Sequence, residues 1–227
     1  MSTKLTILYV LAEIVSVIVM AVALFWSAGR IDWWAAWAAI AVMSAYLAAM
    51  GAVLFRFNPA LLVERMIPPK GAKAWDRALM SVYRLTTLAR YIVAGLDQRY
   101  GWTGGFPAAA QIAALVVCVL GWALFVWATA SNTFFSQVVR IQSERRHAVA
   151  RSGPYRYVRH PAYIGAILSE LSMGILLDSW WALAAGGLCA LMLILRTVLE
   201  DRTLQAELPG YGEYARQVRY RLLPGIW

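Results

Sequence analysis

Long apolar runs, broken by short polar stretches, dominate this chain. Five of them approach or reach the roughly 20 residues that a helix needs to cross a bilayer. They are Leu5–Trp26, Trp33–Phe55, Ala108–Ala130, Tyr163–Leu177 and Trp180–Leu199. The last two are short and are separated only by Asp178 and Ser179, which predicts a tight helical hairpin. The pattern predicts an all-α integral membrane protein with five to six transmembrane helices.

The basic residues decide between five and six membrane elements. They concentrate in two segments, Arg56–Arg77 and Arg140–Arg159, and the positive-inside rule places such segments in the cytoplasm. Five spans would put the two segments on opposite sides, whereas a sixth, imperfect helix over Ala78–Leu96 puts both on the cytoplasmic side with Lys4 and the C-terminal tail. The alternative is that Ala78–Leu96 lies in the interface as an amphipathic helix.

In the six-element arrangement Arg84 and Arg90 enter the membrane. An arginine at the centre of a membrane helix costs about 2.5–3.5 kcal/mol on insertion scales, so a partner is expected. Glu13 in the first run is a candidate, and the helical rise per residue places it nearer in depth to Arg84 than to Arg90. We therefore expect a Glu13–Arg84 pair.

Composition excludes several classes of protein. Hydrophobic residues make up 61% of the 227 positions and the mean hydropathy is +0.60, which is too apolar for one water-soluble core. The net charge of +9 is better explained by the positive-inside rule than by nucleic-acid binding. Cys118 and Cys189 both fall in apolar runs, so we expect neither a disulfide nor a metal site. The first run is too long for a cleavable signal peptide, and we expect none.

The segment Ser152–Gly165, SGPYRYVRHPAYIG, combines aromatic, cationic and helix-starting residues at the edge of an apolar run. Pro161 suits the first position of a helix and keeps His160 out of helical geometry. His160 is therefore expected at a helix N-terminus, where free N–H groups and the helix dipole favour an anionic group. Each residue taken alone has a simpler explanation: Arg156 and Arg159 could reach lipid phosphates, and the tyrosines of the segment could form an interfacial belt.

A second polar group follows the last run. Arg196 and Glu200 are four residues apart and share a helix face, and Asp201 comes next. Tyr211 and Tyr214 are three apart and point the same way if that stretch is helical. Because the last two runs form a hairpin, this group and the Ser152–Gly165 segment emerge on the same side of the membrane.

Together these features resemble the isoprenylcysteine carboxyl methyltransferase and phospholipid methyltransferase families, whose members carry an RHPxYxG segment, an acidic pair and a YxxY tail. The resemblance covers Asn132 to Trp227. It implies a methyltransferase region with a cytoplasmic cofactor-binding segment over residues 131–227, and S-adenosylmethionine as cofactor. Residues 1–130, where the apolar pattern predicts membrane helices and a basic cytoplasmic loop, lie outside the resemblance.

The resemblance also implies roles for single residues. Cofactor-binding candidates are Tyr155, His160, Pro161, Tyr163, Gly165, Glu200, Asp201, Tyr211 and Tyr214. Catalytic candidates are Arg196, which would hold an anionic group of the acceptor, and Glu200; the alternative is that these two only pair with each other. Asp201 stands where a second glutamate is common, and His147 matches a family histidine.

The expected function is methylation of a lipidic or prenylated carboxylate on the cytoplasmic side of the inner or plasma membrane, with membrane lipids and no obligate protein as partners. The alternative is N-methylation of a phospholipid ethanolamine. A membrane NADPH-dependent reductase stays open because sterol reductases carry a similar RHPxY stretch, although Ala166 after Gly165 departs from their acidic residue. A transporter would show repeated halves, which this sequence does not.

Overall fold

The computed structural model describes residues 3–66 and 71–227, and within them the chain is helical and has no strand. The helices are α1 (Thr3–Ala28), α2 (Trp34–Phe57), α3 (Pro59–Met66), α4 (Ala74–Tyr100), α5 (Ala108–Ala130), α6 (Pro161–Leu176), α7 (Trp180–Glu207) and α8 (Tyr211–Gln217). Short 3-10 turns cover Ser143–Arg145 and Gly153–Arg156. Lys70, in the first basic segment, lies outside the described residues.

The predicted membrane helices are present, and most of their ends shift by no more than four residues. The exception is α7, which was expected to be short and to end at Leu199 but continues to Glu207. Within the described residues, α1, α2, α5 and α7 are long and apolar enough to cross a membrane, and α6 is a shorter apolar helix of 16 residues. Asp178 and Ser179 join α6 to α7, and Asp178 adopts a positive φ of 55° to make the turn. The Ser179 hydroxyl oxygen accepts a hydrogen bond from the Ala182 N–H at 3.1 Å, which caps α7. The predicted hairpin is confirmed.

Helix α4 covers the disputed Ala78–Leu96 stretch and joins the two ends of the bundle. Near its start, Asp76 accepts a hydrogen bond from the Val139 N–H at 2.8 Å, at the end where the basic segments lie. Near its other end, Asp97 accepts one from the Ser179 hydroxyl at 2.5 Å, at the α6–α7 hairpin. This course fits the six-element arrangement and not a helix lying flat across one end. The number of membrane crossings stays a prediction.

The predicted Glu13–Arg84 pair is wrong. Within the described residues Arg90 is the arginine of α4 that is buried, and its guanidinium pairs with Glu170 of α6, which is also buried. The Tyr83 hydroxyl donates a second hydrogen bond to Glu170 at 2.6 Å. Arg84 lies on a different face of α4 and lines a cavity. Depth along the helix axis was thus an insufficient guide, because the direction of the side chain decides its partner.

Neighbouring helices pack in the order α1, α2, α5, α6, α7, α4 and back to α1, which closes a ring. Small residues bring helices close: a Cβ on Gly165 of α6 would overlap the carbonyl oxygen of Gly121 on α5. The largest buried cluster, which includes Met20, Leu24 and Met173, fills the ring toward the hairpin. The opposite end of the ring stays open around a cavity.

Candidate functional site

A cavity of about 310 Å³ lies at the end of the bundle opposite the hairpin. Its size falls within the range of small-molecule sites. Most of the candidates from the sequence line it: Tyr155, His160, Tyr163, Arg196, Glu200, Tyr211 and Tyr214. The structure therefore brings together residues that are up to 59 positions apart in the chain.

The C-terminal tail holds the Arg159–His160 pair in place. Pro161 is the first residue of α6 and His160 precedes it at the N-cap, as predicted. The backbone N–H groups of Arg159 and His160 donate hydrogen bonds to the carbonyl oxygens of Tyr220 and Arg221, each at 2.9 Å. The Ser152–Gly165 segment and the C-terminal tail thus meet at the same end of the bundle. This agrees with the prediction that the hairpin brings them out on one side.

Asp201 anchors the tail and does not line the cavity. Its side chain is fully buried, and its oxygens accept hydrogen bonds from several groups. The donors include Arg159 Nε at 2.8 Å, Arg221 Nε at 2.8 Å, the Tyr211 hydroxyl at 2.9 Å and Gln205 Nε2 at 2.8 Å. A carboxylate with so many partners positions other groups. The direct cofactor contact expected of Asp201 stays a prediction.

Glu200, the other member of the acidic pair, is placed differently. It lines the cavity, and its one hydrogen bond among the described residues comes from the Tyr163 hydroxyl. No arginine or lysine within that part of the chain pairs with it, so the expected alternative of an Arg196–Glu200 ion pair is wrong. Glu200 is thus a partly exposed carboxylate with free acceptor capacity. Its donor, Tyr163, is itself positioned by the ring of His160, which stacks on the Tyr163 ring with centroids 5.7 Å apart.

Arg196 is held by Asp76 of α4. Its Nε and Nη2 donate to the two Asp76 oxygens at 2.7 and 3.2 Å, and Nη2 also donates to the Gln137 carbonyl oxygen at 2.8 Å. Nη1 has no hydrogen-bond acceptor among the described residues, although Arg196 lines the cavity. Its guanidinium carbon also lies 5.5 Å from the Tyr163 ring centroid. A fixed arginine with one free edge can orient an anion.

Aromatic rings form another wall of the cavity. Tyr211 and Tyr214 lie on α8, which confirms that the tail is helical there, with ring centroids 5.5 Å apart. The Tyr214 hydroxyl donates to the Tyr155 carbonyl oxygen at 2.8 Å. His147 lies against Phe134, and its pKa is lowered from 6.5 by burial and by the charges of nearby arginines. Its imidazole is therefore neutral at pH 7, and Nδ1 faces the Gln142 N–H at 3.3 Å.

Pro161 and Gly165 have structural places. Pro161 starts α6, and Gly165 allows the close approach of α5 described above; neither lines the cavity. Their expected contact with a cofactor stays a prediction.

Sequence reasoning missed several residues of the cavity wall. Asp76 is the most important of them, and Arg65, Tyr83 and Arg84 also line the cavity or touch its lining. All four belong to the N-terminal part, outside the recognised motifs. Asp76, one of two acids in the segment Arg56–Arg77, was a signal, but its partner Arg196 lies 120 positions away. Within the described residues no cluster of His, Cys, Asp and Glu could hold a metal ion.

Comparisons with known proteins support the recognition made from the motifs. The model of the isoprenylcysteine carboxyl methyltransferase (ICMT) family matches residues 113–206. A cobalt-zinc-cadmium resistance protein, CzcN, from Cupriavidus metallidurans is 36% identical over 80 residues. That match spans 34% of this chain and 36% of the relative.

One solved structure that the search matches is that of the eukaryotic intramembrane Ras methyltransferase ICMT. It has a TM-score of 0.49 and 17% identity, and the match covers 82% of this chain and 66% of that one. Residues 113–206 of the present chain, which hold most of the motifs, are thus similar to the isoprenylcysteine carboxyl methyltransferase family.

Proposed function

We propose that this protein is a membrane methyltransferase that uses S-adenosylmethionine and methylates a carboxylate of a lipidic acceptor. The observation that carries the proposal is the pairing, within one cavity, of a free carboxylate on Glu200 with a fixed guanidinium on Arg196. The cofactor brings a cation and the acceptor an anion, and the two side chains match these charges. The family match supports the class of reaction.

The residues present fit S-adenosylmethionine. Glu200 can accept hydrogen bonds from an ammonium group or from ribose hydroxyls, because the Tyr163 hydroxyl uses only part of its capacity. Tyr155, Tyr211 and Tyr214 offer aromatic surface for a planar base. His160 lies at the N-terminus of α6, beside Tyr163. When bound, this cofactor supplies a methyl group on a positively charged sulfur.

Arg196 orients the acceptor in this account. Asp76 fixes the guanidinium, so Nη1 can bind one carboxylate oxygen while the other is directed at the methyl group. A carboxylate needs no general base, and the step depends mainly on proximity and orientation. Charge is neutralised as the bond forms, so a cavity that excludes water favours the reaction. The apolar rings of Trp122 and Phe125 in the lining contribute to that exclusion.

Calorimetry of the detergent-purified protein tests the cofactor. We expect S-adenosylmethionine to give a saturable binding isotherm and NADPH to give none. Binding of NADPH without a response to S-adenosylmethionine would assign the protein to the reductase class.

The cytoplasmic position of the site and the division at residue 130 belong to the same proposal, supported by the basic residues at this end of the bundle.

A further inference from the structure

The C-terminal tail closes into a loop whose tip is apolar and exposed. The backbone N–H groups of residues 221–223 all donate to one main-chain oxygen of Trp227, at 3.0 to 3.1 Å. The four residues of the tip, 223–226, are all exposed and none has a polar side chain. Leu223 is 50% exposed and Ile226 is 79% exposed. A run of consecutive exposed apolar residues is unfavourable in water and marks a surface that contacts something else.

The base of this loop lies at the depth of the membrane helices. Leu222 is buried in a cluster with Tyr163 and Ala166 of α6 and Leu193 of α7. Leu193 lies within the apolar run Trp180–Leu199, six residues and hence about 9 Å from the polar end of that run. The loop therefore packs beside membrane-spanning turns of α6 and α7, and its tip is at the level of the bilayer.

The residues around the tip are those expected at a membrane surface. Residues 214–227 include three arginines and no acidic residue. Arg216 and Arg219 are exposed, and Tyr220 at the start of the loop is 36% exposed. The guanidinium carbon of Arg221 lies 5.3 Å from the centroid of a ring of Trp227. Basic residues near the phosphates, aromatic rings at the boundary and aliphatic side chains below them are typical of an interfacial anchor.

We infer that the tip, residues 223–226, inserts into the acyl-chain layer of the leaflet on the cavity side and anchors the C-terminal tail to the bilayer. The same tail accepts the backbone hydrogen bonds of Arg159 and His160, and Arg221 pairs with Asp201. Contact with lipid at the tip therefore helps to hold the wall of the cavity in place. The occupant of this surface is the bilayer, because the loop packs at membrane depth and its neighbours are basic.

Fluorescence quenching in lipid nanodiscs tests the position of the tip. Ile226→Cys and Leu223→Cys are each labelled with bimane in the full chain, in which the buried Cys118 and Cys189 do not react. We expect strong quenching by phosphatidylcholine that carries a nitroxide on its acyl chain, and little quenching by iodide in the water. Glu213→Cys, at an exposed position of α8 on the same tail, is the matched control and should show the reverse.

Proteolysis tests the anchor without a label. Trypsin cuts after Arg216 and Arg219, which precede the loop and are exposed. We expect slow cleavage of the parent protein in nanodiscs, and about tenfold faster cleavage of Ile226→Asp, because a large aliphatic side chain no longer leaves water. Gly212→Asp adds the same charge at a position where a Cβ has open space, and should be cut at the rate of the parent protein.

None of these measurements uses S-adenosylmethionine, so their result is independent of the proposed function. Quenching of both tip positions by iodide, and not by the lipid nitroxide, would place the tip in water and overturn the inference. Protection from both quenchers would mean that a protein surface covers the tip, which overturns it as well. Equal cleavage rates of Ile226→Asp and the parent protein in nanodiscs would show that the tip anchors nothing.

Discussion

At the residue scale, the two neighbouring acids of α7 have separate tasks. Glu200 faces the cavity and receives one hydrogen bond, whereas Asp201 points the other way and is saturated by the tail and by Arg159. Neighbours on a helix are 100° apart, so a consecutive acidic pair necessarily serves two surfaces. An aspartate, which is shorter than a glutamate, suits position 201 because the groups that donate hydrogen bonds to it surround it closely.

Replacement of Glu200 tests the cofactor contact. Glu200→Gln keeps the size of the side chain and removes the charge, so we expect the affinity for S-adenosylmethionine to fall roughly ten- to a hundred-fold. Calorimetry measures the loss, and a thermal melt checks that the variant is folded. Glu213→Gln, at an exposed glutamate of α8, is the control. Equal affinities in all three proteins would remove Glu200 from the site.

Asp76 and Arg196 test the orientation of the acceptor. Asp76→Asn removes the charge that fixes the guanidinium, and Arg196→Lys keeps the charge but loses the bidentate fork. We expect both to lower turnover of an acidic acceptor at least tenfold while S-adenosylmethionine still binds. If turnover stays at the level of the parent protein and only the melting temperature falls, the pair has a structural role alone.

At the scale of elements, Asp201 ties α7 to the C-terminal tail and to the start of α6. Removal of one partner of a buried ion pair leaves an uncompensated charge and typically costs about 3–5 kcal/mol. Asp201→Asn should therefore lower the melting temperature and make the tail after α8 sensitive to proteases. A variant with an unchanged melt and a protected tail would contradict the anchoring role.

Helix α4 is the element whose position the sequence left most open. Its length and its contacts at both ends predict that Lys73 and Glu144 lie on one side of the membrane and Trp102 on the other. Single cysteines at these positions can be tested with an impermeant thiol reagent in intact cells, since Cys118 and Cys189 are buried. Labelling at Trp102 alone is expected. Labelling at only one of the two positions Lys73 and Glu144 would restore the five-span arrangement.

Local patterns allowed much of this to be predicted. The length of the apolar runs predicted the long helices. Asp178 and Ser179 predicted the hairpin, and Pro161 predicted the start of α6. Contacts between distant segments were beyond reach, because nothing near Arg90 indicates Glu170 and nothing near Arg196 indicates Asp76. A helix such as α4, polar on the faces that meet other helices, also lacks the apolar signal on which the detection of spans depends.

At the scale of the whole molecule, the ring of helices is packed toward the hairpin and open at the other end, where the polar chemistry collects. The segments matched by the family supply Glu200, Tyr163 and Arg196. The N-terminal helices supply Asp76, which fixes Arg196, and also Arg65 and Arg84 of the cavity lining. The regions 1–130 and 131–227 therefore meet in one cavity, and we expect neither to be active without the other.

Transfer of a labelled methyl group tests the central claim most directly. The purified protein in lipid nanodiscs is incubated with S-adenosylmethionine carrying a tritiated methyl group and with a lipid extract. We predict label in the organic phase that base releases as methanol, which is the behaviour of a methyl ester, and a loss of transfer in Glu200→Gln. Label that resists base would indicate N-methylation instead. The proposed methyltransferase function would be contradicted if S-adenosylmethionine neither bound to the parent protein nor labelled any lipid.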